Sequence, residues 1–279
     1  MTDTQRAVTP DGAVPATAEP TRYRVEDDEV VLERVRLDHL AACRDPRTFA
    51  CFDRLGVGPG WRCLEVGAGA GSVSAWLGER VAPSGSVLST DIDLRFHRDM
   101  PSTVEVRRHD VVADPLPSGK FDLVHARAVL QHVPWAEALD ALVDALAPSG
   151  SIVLEDGDFL AFAEQTLPEP YATVHRLICA GVTTAWRDPT VAVKLVQELR
   201  ARGLVDLDVE GDVWAMRPGE PGGEWWFLAV ERAGPRLVEA GLVTAAQVDE
   251  ALAQVRAPGF VMLSTLALTV TGAKSASRP

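Results

Sequence analysis

A chain of 279 residues, of which 47% are hydrophobic, can bury a full core and predicts a globular protein of one elaborated domain or two small ones. The formal net charge of −13 disfavours nucleic-acid partners, because proteins that bind phosphate backbones usually present basic surfaces. There is no apolar run of about 18 residues, and the polar N-terminus lacks the pattern of a signal or transit peptide. We therefore expect a cytoplasmic protein with no membrane partner.

The N-terminal fifth of the chain predicts a disordered segment followed by two helices. Residues 1–20 are rich in Thr, Ala and Pro without hydrophobic period and predict a disordered leader. Apolar residues from Val30 to Ala41 recur at helical spacing, and a second, short helix is predicted over Phe49–Leu55, before Gly56.

After Gly60, short apolar runs alternate with helical patterns such as Val73–Arg80 and Trp135–Leu146. The predicted strands of this region are Arg62–Val66, Ser86–Thr90, Val104–Arg107, Phe121–Ala126 and Ser151–Glu155. Such repetition predicts an α/β fold, a doubly wound, Rossmann-like sheet that is mostly parallel and has helices on both faces.

The remainder predicts two insertions and the last strands. Residues 157–187 form an irregular or helical insertion, and Asp188 caps a helix over Val191–Arg202, which is followed by a sixth strand over Leu204–Val209. A second insertion covers residues 215–258. It holds a helix over Trp225–Ala240 and another that begins at the Thr244/Gln247 capping box. The seventh strand, Val261–Val270, has no room for a parallel crossover and is expected to be antiparallel.

The cysteines carry no signature of their own. Cys43, Cys51, Cys63 and Cys179 form no CxxC pair, and Cys63 falls within a buried strand. We expect neither disulfides nor a metal site.

The sequence CLEVGAGAG, residues 63–71, places glycines where a buried strand meets a helix, so that a ligand can approach the backbone. Glycine turns of this kind also bind nicotinamide and flavin dinucleotides. Here Ser72 stands where the dinucleotide fingerprint has its third glycine, and no GKS or GKT follows. Glu65 would repel a pyrophosphate but suits a ligand that carries an ammonium and a sulfonium.

Two aspartates follow the next strands. Asp91 ends the second strand, where a carboxylate can accept hydrogen bonds from both ribose hydroxyls. Asp110 follows the third strand, where it can accept a hydrogen bond from an adenine amino group. Each has an alternative: Asp91 as a helix N-cap and Asp110 as a turn-forming residue.

With these residues in place, the sequence resembles the class I S-adenosylmethionine-dependent methyltransferases over residues 21–157. It is most similar to the group that includes the ubiquinone/menaquinone C-methyltransferases and many bacterial natural-product methyltransferases. FDLVHARAVLQHVP (121–134) and LAPSGSIVLED (146–156) resemble that group's fourth- and fifth-strand motifs. The resemblance implies a helical lid over residues 21–57 that closes over the cofactor, and a methyltransferase domain over residues 58–279.

The resemblance also implies the residues that bind S-adenosylmethionine: Tyr23, Glu65, Gly67, Ala68, Gly69, Asp91, Ile92, Asp110, Val111, Ala126 and Arg127. Glu65 and the glycine amides would hold the methionine portion, Asp91 the ribose, and Ile92, Asp110 and Val111 the adenine. The carbonyl of Ala126, with Arg127 beside it, would accept from the ammonium group.

The catalytic residues are less marked, because methyl transfer needs mainly alignment and a dry site, and a base only if the acceptor must lose a proton. His132 and His175 are the candidates, and His132 has the alternative of shaping its loop. Glu155, Asp156 and Asp158 end the fifth strand; one of them could orient the substrate, or the three could form a solvated loop.

Four tryptophans have two interpretations. Trp186, Trp214, Trp225 and Trp226 could line a pocket for a planar acceptor, or they could cover the core or an interface.

We predict methyl transfer to a small organic molecule, an O-methylation in natural-product metabolism, with a homodimer as a possible assembly. The alternatives are a nucleic-acid methyltransferase, a nicotinamide oxidoreductase, and a relative that binds the cofactor but catalyses another reaction, such as cyclisation.

Overall fold

The computed structural model describes residues 25–181 and 188–276. The predicted leader, Tyr23 and Trp186 lie outside these ranges. The central feature of the described residues is a seven-stranded sheet of order β3-β2-β1-β4-β5-β9-β6. Its strands are β1 Arg62–Val66, β2 Ser86–Asp91, β3 Val104–Arg108, β4 Phe121–Arg127, β5 Leu146–Asp158, β6 Leu204–Asp212 and β9 Leu266–Lys274. The predicted mostly parallel, Rossmann-like sheet is confirmed.

The first five strands of the sheet are parallel, and β9 runs antiparallel between β5 and β6. The helices Ser72–Arg80 and Trp135–Ala145 connect β1 to β2 and β4 to β5, whereas only residues 257–265 separate the last helix from β9. A parallel entry needs a long crossover, so the antiparallel direction is the one available. This prediction is also confirmed.

Helices cover both faces of the sheet. They are α1 Val30–Arg54, α2 Ser72–Arg80, α3 Trp135–Ala145, α4 Tyr171–Cys179, α5 Leu195–Ala201, α6 Pro221–Glu239 and α7 Ala245–Arg256. Along β1, Cys63 packs in the core on one face and Leu64 in the core on the other, and both side chains are fully buried. This burial on two sides explains the continuous apolar runs that predicted the strands.

A third core forms away from the sheet, among α4, α6 and α7. Tyr171 and Trp226 lie at its centre: the indole Nε1 of Trp226 donates to the Tyr171 hydroxyl at 3.1 Å. A two-stranded ribbon of β7 Ala215–Met216 and β8 Met262–Leu263 joins this cluster. The two predicted insertions therefore pack together as one helical layer. No helix of the described ranges is long and apolar enough to cross a membrane.

Three element predictions need correction. The lid helices are one helix, because α1 continues through Pro46 and ends at Arg54. The stretch predicted as the seventh strand holds two strands, since β8 pairs with β7 and only β9 joins the sheet. The helix predicted from Val191 begins as a 3-10 turn. In the residues just before this turn, the Asp188 carboxylate accepts a hydrogen bond from the amide of Thr190.

Candidate active site

A cavity of about 1200 Å³ lies at the carboxyl ends of the parallel strands, as expected for this type of sheet. It has two halves. The glycine-turn half is bordered by residues 65–70, 91–93, 95–96 and 108–112, at and after the carboxyl ends of β1, β2 and β3. The aromatic half is bordered by residues 128–129, 131–134 and 155–157 and by Phe159, Ile178, Trp214, Trp225 and Trp226.

The glycine turn has a backbone that other residues adopt with difficulty. Gly67, Gly69 and Gly71 have φ angles of +68°, +54° and +77°. A Cβ on Gly67 would lie 2.2 Å from Cγ2 of Val129, on the loop after β4. The turn is held to β2 by the amide of Ala68, which donates to the carbonyl of Thr90 at 3.0 Å. The cavity is therefore lined here by backbone rather than by side chains.

The Asp91 carboxylate joins two turns at the edge of the cavity. It accepts from the amide of Gly69 at 2.8 Å and from the amide of Asp93 at 2.9 Å. Burial raises the pKa of Asp91 above its usual value, although these two hydrogen bonds oppose the shift. Asp91 is not the helix cap considered as its alternative, because Asp93 is the N-cap of the following 3-10 turn and accepts from the amide of Arg95.

The turn after β3 also borders the cavity. The Oδ1 atom of Asp110 accepts from the amide of Val112 at 3.0 Å, so the turn-forming role considered for Asp110 is present. The neighbouring His109 is buried, and neither of its ring nitrogens has a hydrogen-bond partner among the described residues. Ile92 and Val111 complete this end of the cavity. It thus combines apolar surface with polar atoms that a ligand can satisfy.

Glu65 belongs to a buried charge network. Nδ1 of His125, at the centre of β4, lies 2.6 Å from a carboxylate oxygen of Glu65, and Nε2 lies 3.6 Å from Glu155 on β5. Burial alone would lower the pKa of His125, but the two carboxylates outweigh it and raise that pKa to about 9. Burial likewise opposes ionisation of Glu155, yet His125 holds the pKa of Glu155 well below its usual range. Glu65 is therefore one carboxylate of a charged triad.

Helix α1 supplies further partners to this network. The Thr48 hydroxyl donates to Glu155 at 2.6 Å and accepts from Arg127 at 3.0 Å, and Asp45 accepts from Arg127 at 2.8 Å. Arg127 borders the cavity as predicted. Ala126 is fully buried and is not among the bordering residues.

The cover of the cavity is formed by α1 and α6, which pack together. Arg232 on α6 donates to Glu33 at 3.0 Å and to Glu29 at 3.1 Å, and Arg236 donates to Glu29 at 2.6 Å. The Leu37 side chain reaches within 3.4 Å of the place where a Cβ of Gly69 would stand. The predicted lid region thus lies over the glycine turn.

The two candidate catalytic histidines occupy different places. His132 borders the cavity, and its Nε2 lies 3.2 Å from the side-chain amide nitrogen of Gln131. His175 packs against Tyr171, Trp226 and Cys179 and does not border the cavity. Burial lowers the pKa of His175 to about 4, so it is a neutral core residue. The predicted catalytic role of His175 is withdrawn.

The acids at the end of β5 are not a solvated loop. Glu155 and Asp156 are 2% and 5% exposed. Oδ2 of Asp156 accepts from the amide of Leu130 at 3.2 Å, and burial raises the pKa of Asp156 to about 8. Asp158 instead accepts from the amides of the turn that follows it, at Leu160 and Ala161.

Sequence reasoning missed His125 and the α1 residues Thr48 and Arg44, whose Nη2 lies 3.8 Å from Glu155. A signal existed for His125: a lone histidine inside the apolar strand FDLVHAR, flanked by strands that each carry a glutamate. No local pattern indicates that α1 reaches this network.

The comparisons with known proteins agree with this geometry. The sequence profile of a family described as "Methyltransferase domain" matches residues 31–205. "Methyltransferase str3" of Strobilurus tenacellus is 30% identical over 156 residues, which are 55% of this chain and 51% of that protein. The chain thus spans about half the length of that relative. An "Uncharacterized 37.1 kDa protein in transposon TN4556" of Streptomyces fradiae is 28% identical over 263 residues, 90% of this chain and 74% of that protein.

Solved structures share the fold at low sequence identity. Phosphoethanolamine N-methyltransferase 2 of Haemonchus contortus, solved with S-adenosylhomocysteine, has a TM-score of 0.53 at 15% identity, over 82% of this chain and 52% of that one. The [4+2]-cyclase SpnF has a TM-score of 0.51 at 14% identity, over 84% of this chain and 82% of that one. At these identities the likeness concerns the fold alone.

Proposed function

The chain is a member of the class I S-adenosylmethionine-dependent methyltransferase family, and we propose that it transfers a methyl group from S-adenosylmethionine to an oxygen atom of a small organic acceptor. We further propose that the acceptor is a natural product and that the chain belongs to the ubiquinone/menaquinone C-methyltransferase-like group, on its motifs at residues 121–134 and 146–156. One observation carries the proposal: Glu65, Asp91 and Asp110 lie at or just after the carboxyl ends of three neighbouring strands and border the same cavity.

The residues of the glycine-turn half fit an adenosyl group joined to an amino acid. The backbone of Gly67 and Gly69, with Glu65 behind it, would hold the methionine portion, and Asp91 would accept from the ribose hydroxyls. The buried His109 nitrogens, which lack partners among the described residues, and the carboxylate of Asp110 would meet the adenine. Unsatisfied buried polar atoms are costly, so a polar ligand at this end lowers their free energy.

The protein contributes alignment and exclusion of water. When bound, S-adenosylmethionine supplies a methyl group on a sulfonium, which is a reactive donor that needs no activation by the protein. The α1–α6 cover closes the cavity, and the triad of Glu65, His125 and Glu155 fixes the floor beneath the glycine turn. An in-line displacement gains mainly from such fixed geometry.

A labelling assay tests the proposal. The protein is incubated with S-adenosylmethionine that carries a ¹³C methyl group and with a panel of small phenols, carboxylic acids and amines. We expect one acceptor to gain a labelled methyl group while an equal amount of S-adenosylhomocysteine forms. Labelled product that carries its methyl group on nitrogen or carbon would contradict the choice of oxygen.

The alternative is a cofactor-binding protein with a non-methylating reaction. Its support is the shared fold with the [4+2]-cyclase SpnF. The same assay separates the two, because a cyclisation consumes the acceptor without label and without forming S-adenosylhomocysteine. That result would contradict methyl transfer.

A further inference from the structure

Three polar atoms of the aromatic half have no hydrogen-bond partner among residues 25–181 and 188–276. They are Oδ1 of Asp156, Oε1 of Gln131 and the indole Nε1 of Trp225. All three residues border the cavity. A buried polar atom without a partner destabilises the protein, so several beside one cavity indicate the place of a polar ligand.

The two carboxylate oxygens of Asp156 differ in their hydrogen bonding. Oδ2 is engaged at the turn after β4, where it accepts from the amide of Leu130. Oδ1 is the unpartnered one. Burial makes the ionised carboxylate costly and raises the pKa of Asp156 toward neutrality, which suits a group that takes up a proton. The amides of Val129 and Gln131 also oppose the rise in the pKa of Asp156, so the carboxylate lies against this turn. Asp156 therefore borders the cavity with one oxygen, Oδ1, that has no hydrogen-bond partner among the described residues.

The surrounding wall is aromatic and apolar. Trp225 and Trp226 have ring centroids 5.6 Å apart, and Phe159 lies 6.0 Å from Trp226. Ile178 borders the same space. Aromatic walls of this kind favour planar occupants, which can stack or pack edge to face. Trp225 also offers its indole N–H as a donor to an oxygen of the occupant.

On the basis of the proposed function, we propose that the acceptor is a planar phenol or enol and that Asp156 is the catalytic residue that binds its hydroxyl group and removes its proton. The ionised form of Asp156 is favoured once a cation occupies the adjacent half. The hydroxyl proton moves to Oδ1, and the oxygen electron pair forms the bond to the methyl carbon. The carbon–sulfur bond breaks, its electron pair stays on the sulfur as S-adenosylhomocysteine, and Asp156 later releases the proton to water.

The test uses 4-nitrophenol as the probe, because its absorption spectrum distinguishes phenol from phenolate. The full chain is first saturated with sinefungin, an analogue of S-adenosylmethionine in which an amine-bearing carbon replaces the methylsulfonium, so that the adjacent half holds a cation and no methyl transfer occurs. Binding is measured by quenching of tryptophan fluorescence, and the protonation state of the bound probe by its absorption. Asp156→Asn removes the acceptor oxygen, and Asp158→Asn is the matched control, since Asp158 lies two residues further and does not border the cavity.

We expect the unmodified chain and Asp158→Asn to bind the probe as phenolate with equal affinity. Asp156→Asn should weaken binding by about tenfold or more and leave the bound probe as neutral phenol. Equal affinity and an unchanged spectrum in Asp156→Asn would overturn the inference, as would the absence of binding to the unmodified chain.

Two controls keep these outcomes separate. Calorimetry with S-adenosylhomocysteine is run on every variant: a chain that binds S-adenosylhomocysteine but fails the probe test contradicts only the role of Asp156, whereas a chain that does not bind it contradicts the proposed function. If Asp156→Asn does not fold, Trp225→Phe takes its place, because it keeps the ring and removes the N–H donor. Probe affinity equal to that of the unmodified chain would then overturn the inference.

Discussion

The two halves of the cavity are built in different ways. The glycine-turn half consists of strand ends and the turns directly after them, and its main contacts join backbone amides to the carboxylates of Asp91 and Asp110. The aromatic half is assembled from side chains far apart in the sequence, such as Phe159 and Trp225. A shared ligand for a family can be held by local backbone geometry, whereas a particular acceptor needs side chains that can vary. His125 lies between the halves, because its carboxylate partners are Glu65 on one side and Glu155 on the other.

The largest effect is expected for His125→Gln, which should disturb both halves. His125 is completely buried, and its loss removes the cation that Glu65 and Glu155 share, which leaves Glu155 with the more distant Arg44. Breaking a buried pair in this way costs about 3–5 kcal/mol of unfolding free energy, measurable by urea denaturation. His39→Gln, at a partly exposed site on α1, is the control and should stay within about 0.5 kcal/mol. A loss as small as that of the control would contradict the role of the triad.

The same residue predicts how stability depends on pH. The folded-state pKa of His125 is raised from 6.5 to about 9, so its stabilising contribution is complete below pH 6.5 and is lost as the pH rises toward 9. Asp156, with its pKa raised from 3.8 to about 8, acts in the same direction over a lower window, because ionisation of the unfolded chain at this residue destabilises the fold from pH 3.8 up to about pH 8. The unmodified chain should therefore lose stability between pH 6.5 and 9, and His125→Gln should flatten that decline. An increase in stability over this range would contradict both assignments.

The next prediction compares a glycine of the turn with a glycine where an added Cβ would meet no other atom. Gly67→Ala combines a positive φ, worth about 1–2 kcal/mol, with a clash against Val129, worth about 1–3 kcal/mol. Gly241→Ala shares the positive φ but meets nothing within 4 Å. Thermal unfolding should show a larger loss for Gly67→Ala, and calorimetry should show lost S-adenosylhomocysteine binding for this variant alone. Equal losses of thermal stability in the two variants would contradict this prediction, because they would show that the Val129 side chain moves aside without cost.

Asp91→Ala should act on the glycine-turn half alone. It removes the acceptor for two amides and, in the proposed site, for the ribose hydroxyls. Hydrogen bonds to a charged group are worth about 1.5–3 kcal/mol, so S-adenosylhomocysteine affinity measured by calorimetry should fall by about 10- to 100-fold. Asp122→Ala is the control, because Asp122 pairs with Arg62 at the opposite end of the strands. Unchanged affinity in Asp91→Ala would remove Asp91 from the site.

The smallest effect concerns the cover. Arg232, whose side chain is 10% exposed, pairs with Glu29 and Glu33, whereas Arg236, at 36% exposed, pairs within residues 25–181 and 188–276 with Glu29. Exposed ion pairs contribute about 0–1 kcal/mol, so Arg236→Gln should have little effect on unfolding. Arg232→Gln should be the more destabilising of the two, because it leaves the buried Glu33 with one cation fewer. The reverse order would contradict the role of Arg232 in joining α6 to α1.

The difference between the halves also explains what the sequence could predict. Gly67, Asp91 and Asp110 are placed by strand order and by their position at strand ends, both of which local patterns reveal. The contact of Arg232 with Glu33 joins residues 199 apart, and no periodicity indicates it. The predicted insertion that contains His175 is present, but α4 directs this side chain away from the cavity. His175 packs instead with Tyr171 and Trp226 in the core that α4, α6 and α7 form.

Titration of the unmodified chain with S-adenosylhomocysteine and with NAD tests the central claim most directly. If the carboxylates after β1, β2 and β3 select an adenosyl amino acid, calorimetry should show S-adenosylhomocysteine binding near micromolar affinity, about −8 kcal/mol, and no heat from NAD. Binding of NAD without binding of S-adenosylhomocysteine would contradict the account.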